Sequence, residues 1–260
     1  ADQSKKYKNS NFYFVKSPKV VNCFDKAIYW VAKNLLKKTN LISYRCILRR
    51  LYVMSKFPKI LLKNDFDRLV LVTNSTLFFV LKNKKVAKKY EEKTIYYLHN
   101  EVRSLFKCEK EAATIRSLIG ISEFVNNSFR KQVPTLKKEQ CYVLKNGVDT
   151  VKFTARDERK IKEYKNKYGI EDNDFVVIFA GRLVDEKGAL ETIKAIKECK
   201  DEHIKLLIVG AGFYSSDIVD DYTLELQKEA EGIKDRIVFT GYIDYKDMPS
   251  IYQLGNVAVL

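Results

Sequence analysis

Two cations and two glycines share one short stretch, Gly181-Arg182-Leu183-Val184-Asp185-Glu186-Lys187-Gly188. Arg offers a planar fork that matches phosphate, and Lys offers a mobile point charge. Glycine lets backbone N–H groups close on the same anion. The apolar spacing of Ala189–Cys199 predicts a helix directly after the loop, which adds the positive end of its dipole. Types and order together describe a diphosphate clamp. The same residues would also suit a surface loop of a Lys-rich protein, and the stretch alone does not separate the two. A second candidate is His99, which closes the apolar run Thr94–Leu98 and precedes Asn100-Glu101. A histidine at a strand's end can meet a ligand or serve as a core or capping group.

Such a clamp needs a rigid support. Phe175–Ala180 is an unbroken apolar run rich in β-branched and aromatic residues, as expected of a strand buried on both faces of a parallel sheet. In open α/β sheets the loop after such a strand lies at the carboxyl edge, where ligands bind. The second half continues with strands at Lys205–Val209, Arg236–Thr240 and Asn256–Leu260, and helices over 189–199, 220–230 and near Met248–Leu254. Gly210-Ala211-Gly212 and Gly241 come directly after two of the strands.

In the first half, Phe12–Val15 reads as a short strand broken by Ser17-Pro18. Asp25–Leu36 has helical spacing, completing a first β–loop–α unit, and Ile42–Leu48 suggests a weaker second one. Strands are expected at Leu69–Thr73, Thr94–Leu98, Ser117–Ile121 and Cys141–Leu144, with the apolar run Leu77–Leu81 between the first two. Ser122 is placed to cap a helix from Glu123, and Asn146-Gly147 signals a turn. Residues 149–159 are dense in charge and poor in apolar side chains, as in a linker. The pattern predicts an α/β protein of two Rossmann-like, doubly wound domains, 1–150 and 151–260, facing a cleft. The apolar run Val257–Leu260 stops in mid-strand, so the second domain is expected to be truncated.

The chain has 260 residues, 46% hydrophobic and 31% charged, which suits globular domains. Its formal net charge is +15. A basic surface attracts nucleic acid, anionic lipid or anionic substrates, although the scatter of lysines reads partly as a compositional bias. No cation run interleaved with aromatics suggests a strand-tracking groove, so no nucleic-acid partner is expected. The five cysteines are scattered without a C-x-x-C pair and there are two histidines, so neither a disulfide framework nor a zinc site is expected. No signal peptide or membrane span is visible, and a cytoplasmic setting is expected.

The stretches GRLVDEKG at 181–188, LLIVGAG at 206–212 and IVFTGYI at 237–243, with DMPSIYQLGNVAVL after them, resemble in order and spacing the motifs of glycosyltransferase family 4. These are retaining glycosyltransferases of the GT-B fold, often of the bacterial polysaccharide type. IGISEFVNNSF at 119–129 and LKNGVDTVKF at 144–153 are similar to the family's helix start and linker. The likeness covers most of 94–260 and is thin before residue 90. It implies transfer of a sugar from a nucleotide-sugar donor, a UDP-sugar first among them, to an acceptor hydroxyl with retention. It implies no cofactor and no metal, with Arg182 and Lys187 neutralising the leaving diphosphate. His99 would touch the donor sugar, Gly181, Gly210 and Gly212 would shape the phosphate loops, and Tyr242 and Ile243 would meet the base. The acceptor would be a saccharide or lipid-linked saccharide, at the anionic inner face of the plasma membrane. Asn22 and Cys23 stand where the family prefers a Gly-Gly loop, and its E-x(7)-E segment would lie past residue 260. The competing readings are a sugar-nucleotide epimerase on the same fold and a non-catalytic nucleotide- or polyanion-binding protein.

Overall fold

The computed structural model describes residues 7, 9–35, 46–212 and 221–259. The chain divides into two compact units, Ala1–Asn146 and Gly147–Leu260.

The first unit opens with helices α1 (Lys19–Asn34) and α2 (Ile47–Lys63). Strand β1 (Leu69–Val72), a 3-10 run over Ser75–Lys82, α3 (Lys84–Lys89), β2 (Thr94–Leu98) and α4 (Glu109–Ala112) come next. The unit closes with β3 (Ser117–Gly120), α5 (Glu123–Gln132) and β4 (Cys141–Val143). The strands are parallel and lie in chain order, β1-β2-β3-β4. Right-handed crossovers taken in one direction place every connection on one face. Leu71, Tyr96, Leu98 and Leu118 fill that face against Phe78 and Phe129. The rings of Phe78, Tyr96 and Phe129 meet at 4.8 and 5.2 Å, within the range of favourable aromatic pairs. On the opposite face Val72, Tyr97, Ile119 and Tyr142 stand side by side in register, and Val72 and Tyr142 remain exposed.

Three expectations for the first unit change. Residues 12–15 form no strand. A strand exists only with a hydrogen-bonding neighbour, and none pairs here; Phe12 and Phe14 instead stack on each other in the open, and Tyr13 donates to Asn64 Oδ1. Helix α1 starts directly after Pro18, six residues before the expected Asp25, because Val20, Val21 and Phe24 continue its spacing. Of Ile42–Leu48, residues 42–45 lie outside the described part, and Ile47 and Leu48 open α2, a helix that runs through Pro58. Ser122 caps α5 as expected, accepting from Val125 N at 3.3 Å. Ser122→Ala is expected to lower the stability of the first unit by about 1 kcal/mol, as a shift in its thermal transition.

The second unit comprises α6 (Thr150–Thr154), α7 (Glu158–Tyr168), β5 (Phe175–Ala180), a 3-10 turn at Asp185–Lys187 and α8 (Ala189–Glu198). It continues with β6 (Ile204–Val209), α9 (Asp221–Glu229), β7 (Ile237–Gly241), α10 (Met248–Tyr252) and β8 (Val257–Val259). The charged stretch 149–159 is thus largely helical: Asp149 and Asp157 accept from Lys152 N and Lys160 N as caps of α6 and α7. Asn146-Gly147 forms no hydrogen-bonded turn and marks the unit boundary instead. The sheet order is β7-β6-β5-β8, all parallel. The chain moves outward from β5 to β7 and then returns to the far side of β5, so the winding reverses between β5 and β8. Val177, Phe179, Leu206 and Ile208 pack on one face with Ile193 and Leu226. Val176, Ile178, Leu207 and Val209 pack on the other with Ile161 and Ile251. Burial on both faces explains why β5 is apolar at every position.

Candidate functional site

Parallel register brings the carboxyl ends of β5, β6 and β7 together; Gly181 and Gly210 directly follow β5 and β6, and Gly241 is the last residue of β7. Gly181 N donates to Val209 O at 3.0 Å and Gly210 N to Gly241 O at 3.1 Å, so the ladder continues beyond the strands. Leu183 N then reaches Ala211 O at 3.3 Å. Gly210 has φ +148, and a Cβ there would stand 1.8 Å from Gly181 O. Only glycine permits that approach of two backbones. Gly241 has φ +70, also in the region that favours glycine. The β6–β7 pairing slips by one residue at Thr240, whose hydroxyl lies within bonding range of Ile208 O and Gly241 O. Such an irregularity re-aims the residues after it, here Tyr242 and Ile243.

The edge is hollowed into an open pocket of about 430 Å³. Ala180, Gly181, Arg182, Gly210 and Ala211 form its backbone-rich side, and Tyr242, Ile243, Tyr245, Met248 and Tyr252 form the other. Arg182 is exposed and has no ion pair among the described residues. A free guanidinium beside backbone N–H groups is suited to a phosphate. Lys187 does not line the pocket. It ends the 3-10 turn of the same loop, is exposed, and also lacks an ion pair among the described residues. Gly188, at φ +74, then turns the chain into α8, whose N-terminus adjoins this loop.

The aromatic wall is missed by reading motifs alone. Tyr245 precedes α10 and Tyr252 is its last residue, and Phe153 of α6 packs on both, at 5.6 and 6.2 Å between ring centres. Lys152 Nζ lies 4.0 Å from the centre of the Tyr245 ring, a cation–π contact. Lys160 of α7 pairs with Asp247, and that carboxylate raises the Lys160 ammonium above the ordinary lysine value. The seven-residue spacing of the two tyrosines is visible in the sequence, but nothing there says that α6 folds back on them.

The remaining candidates fall elsewhere. His99 comes just after the carboxyl end of β2, half-buried, with its ring 4.3 Å from that of Tyr97. On the same edge, Thr73 comes just after β1 with φ +58, rare for a β-branched residue. Its carbonyl accepts from the buried Tyr96 hydroxyl at 2.8 Å. Asn74, next in the chain, caps the 3-10 run. Gly212 ends the described segment without lining the pocket. Asn22 and Cys23 do not lie on a strand-end loop: with no strand at 12–15, both sit within α1. Asn22 accepts from Ser17 Oγ at 2.7 Å and borders a separate hollow with Asp25, Tyr29 and Arg49, while Cys23 is exposed. Among the described residues no group of three His, Cys, Asp or Glu could hold a metal ion, and no helix is long and apolar enough to cross a membrane.

Residues 160–260 match the family described as glycosyl transferases group 1. Over this segment the chain is similar to group 1 glycosyl transferases. The chain is 31% identical over 178 residues to the putative glycosyltransferase YtcC of Bacillus subtilis, covering 64% of this chain and 43% of that protein. Among solved structures, Anabaena Alr3699/HepE in complex with UDP superposes with a TM-score of 0.62 at 18% identity, over 79% of this chain and 55% of that one. The same protein with UDP-glucose gives 0.62 at 17% identity, over 94% and 70%. The fold is that of GT-B glycosyltransferases. The chain spans less than half the length of the first curated relatives it matches.

Proposed function

We propose that the protein belongs to an enzyme that transfers a sugar from a nucleotide-sugar, most simply a UDP-sugar, to an acceptor hydroxyl with retention at the anomeric carbon. The observation that carries this reading is the pocket at the ends of β5, β6 and β7. There, glycine-lined backbone, the exposed Arg182 and an aromatic wall meet in the order that a diphosphate and a base require. The bound UDP and UDP-glucose of the Anabaena neighbour support the choice of donor. In this reading Arg182 stabilises charge as it develops on the departing nucleoside diphosphate, without a metal, and Lys187, outside the pocket on the same loop, adds positive charge at longer range. Backbone N–H groups after Gly181 approach the phosphates, and Ile243 and Tyr242 meet the base. The acceptor is a saccharide or lipid-linked saccharide of a bacterial surface polysaccharide or glycolipid.

Calorimetric titration with UDP, GDP and UDP-glucose tests the reading. Arg182→Ala is expected to weaken UDP binding by about tenfold or more, equivalent to about 1.4 kcal/mol or more. Because Arg182 is exposed and has no ion pair among the described residues, the melting temperature should move little. His99→Ala should lower turnover while UDP affinity is retained. If no nucleotide binds at about 1 mM, a limit near −4 kcal/mol, the donor-site reading fails.

A further inference from the structure

The charge of the chain is lopsided rather than scattered. Residues 1–64 hold 15 Lys and Arg against 2 Asp and Glu, a net +13 of the total +15; residues 65–260 are nearly neutral. The cations themselves are spread along the whole chain, as expected; the net charge is lopsided because 31 of the 33 Asp and Glu lie after residue 64. The two acids are Asp2 and Asp25, and Asp25 is buried at 4% exposure with both carboxylate oxygens taken by Leu48 N and Arg49 N. Helices α1 and α2 thus present cations with no exposed carboxylate between them.

The same region holds a run of exposed large apolar side chains among the described residues. At about 100° per residue, Val20, Phe24, Ala27, Val31 and Leu35 fall along one stripe of α1. Its large members are open to solvent: Val20 64%, Phe24 60%, Val31 40% and Leu35 67% exposed. Asp25 and Ala32, on the neighbouring face, are the buried positions. Lys19 and Lys26 share a third face, next to Trp30, and all three are exposed. Phe12, Tyr13 and Phe14, just before α1, are exposed as well. A stripe of this kind is a docking surface rather than ordinary scatter.

We propose that α1 docks the protein on an anionic lipid bilayer. Val20, Phe24, Val31 and Leu35 enter the headgroup–acyl boundary, Trp30 sits at the interface, and Lys19 and Lys26 meet headgroup phosphates. The other cations of α1 and α2 add long-range attraction, about 1 kcal/mol for each that reaches the surface. The charge complementarity selects an anionic partner, and the exposed aliphatic members of the stripe, Val20, Val31 and Leu35, which offer no ring for a base to stack on, select a bilayer over a nucleic acid. The inference names the surface at which a lipid-linked acceptor would be met, but it does not depend on the donor pocket. Vesicle binding is read at Trp30 in the first unit and nucleotide binding at Arg182 in the second, so either can fail without the other.

Trp30 is the sole tryptophan and therefore a clean reporter. The 260-residue chain is mixed with vesicles of phosphatidylcholine alone or with about one third phosphatidylglycerol, and binding is followed by flotation and Trp30 emission. Anionic vesicles should float the protein and shift the emission to the blue, and lipids brominated along the acyl chain should quench it. Neutral vesicles should do neither at about 0.15 M salt. Phe24→Glu with Val31→Glu should lower partitioning by about tenfold or more and abolish the blue shift. Lys19→Glu with Lys26→Glu, which leaves the apolar stripe intact, should weaken binding and its salt dependence. Unchanged circular dichroism of both variants excludes unfolding as the cause. The proposal is overturned if anionic vesicles leave Trp30 emission unchanged, or if the stripe variant binds as well as the parent. It is also overturned if sedimentation shows a dimer whose dissociation exposes Trp30, or if a soluble polyanion such as heparin produces the same blue shift.

Discussion

Gly210→Ala is expected to destabilise the second unit by about 3 kcal/mol and to remove UDP binding at concentrations that saturate the parent. The backbone at Gly210 has φ +148, a region that side-chain-bearing residues rarely enter, and the new methyl would stand 1.8 Å from Gly181 O. The obstacle is backbone, not a mobile side chain, and it is held in place by the bond from Gly181 N to Val209 O. Relief therefore requires the ends of β5 and β6 to part, which would carry Arg182 away from the rest of the pocket. Gly232→Ala is the control. A Cβ there meets nothing within 4 Å, so its stability should stay within about 0.5 kcal/mol of the parent. Urea unfolding followed by titration of the folded fraction separates the two effects. If Gly210→Ala unfolds at the parent midpoint, the contact between the two strand ends is not as described.

Asp25→Ala should cost the first unit about 2 kcal/mol and loosen the start of α2. Asp25 Oδ1 accepts from Leu48 N at 2.8 Å and Oδ2 from Arg49 N at 2.9 Å, although 23 residues separate Asp25 from Leu48. Removing the carboxylate leaves two N–H groups at a partly buried helix start with no partner, and removes the negative charge that faces the α2 dipole. Asp25→Asn keeps one acceptor and should recover roughly half of the loss. Hydrogen exchange at Leu48 and Arg49 is the direct measurement, and both amides should lose protection in the alanine variant. Retained protection there would mean that other groups satisfy the helix start.

Much of the second unit is legible from residues alone. A strand buried on both faces must be apolar at nearly every position, so β5 and β6 announce themselves. Glycines at their ends mark places where the backbone must come close or turn. Arg182 is placed correctly at a strand end by this logic, and Tyr242 and Ile243, singled out by the family resemblance, follow the end of β7. Lys187 belongs to the same loop, yet the 3-10 turn at 185–187 leaves it outside the pocket. The first unit reads less well before residue 69. Phe12–Val15 has the composition of a strand, and Val21–Asp25 could pass for the loop after it, which places Asn22 and Cys23 wrongly at a ligand edge.

The difference has one physical source. Local chemistry by itself determined the apolar runs, the cap at Ser122, the glycine positions and the charge, whereas the helices capped by Asp149 and Asp157 lie in a stretch that reads as a linker. Each of these depends on a few neighbouring residues. Pairing and convergence were decided only by the tertiary structure. Residues 12–15 lack a partner strand and so are not one. Tyr245, Tyr252 and Phe153 form a wall because α6 returns to α10 across about a hundred residues of chain. Arg182 meets them because parallel register aligns the carboxyl ends of strands that lie far apart in the sequence.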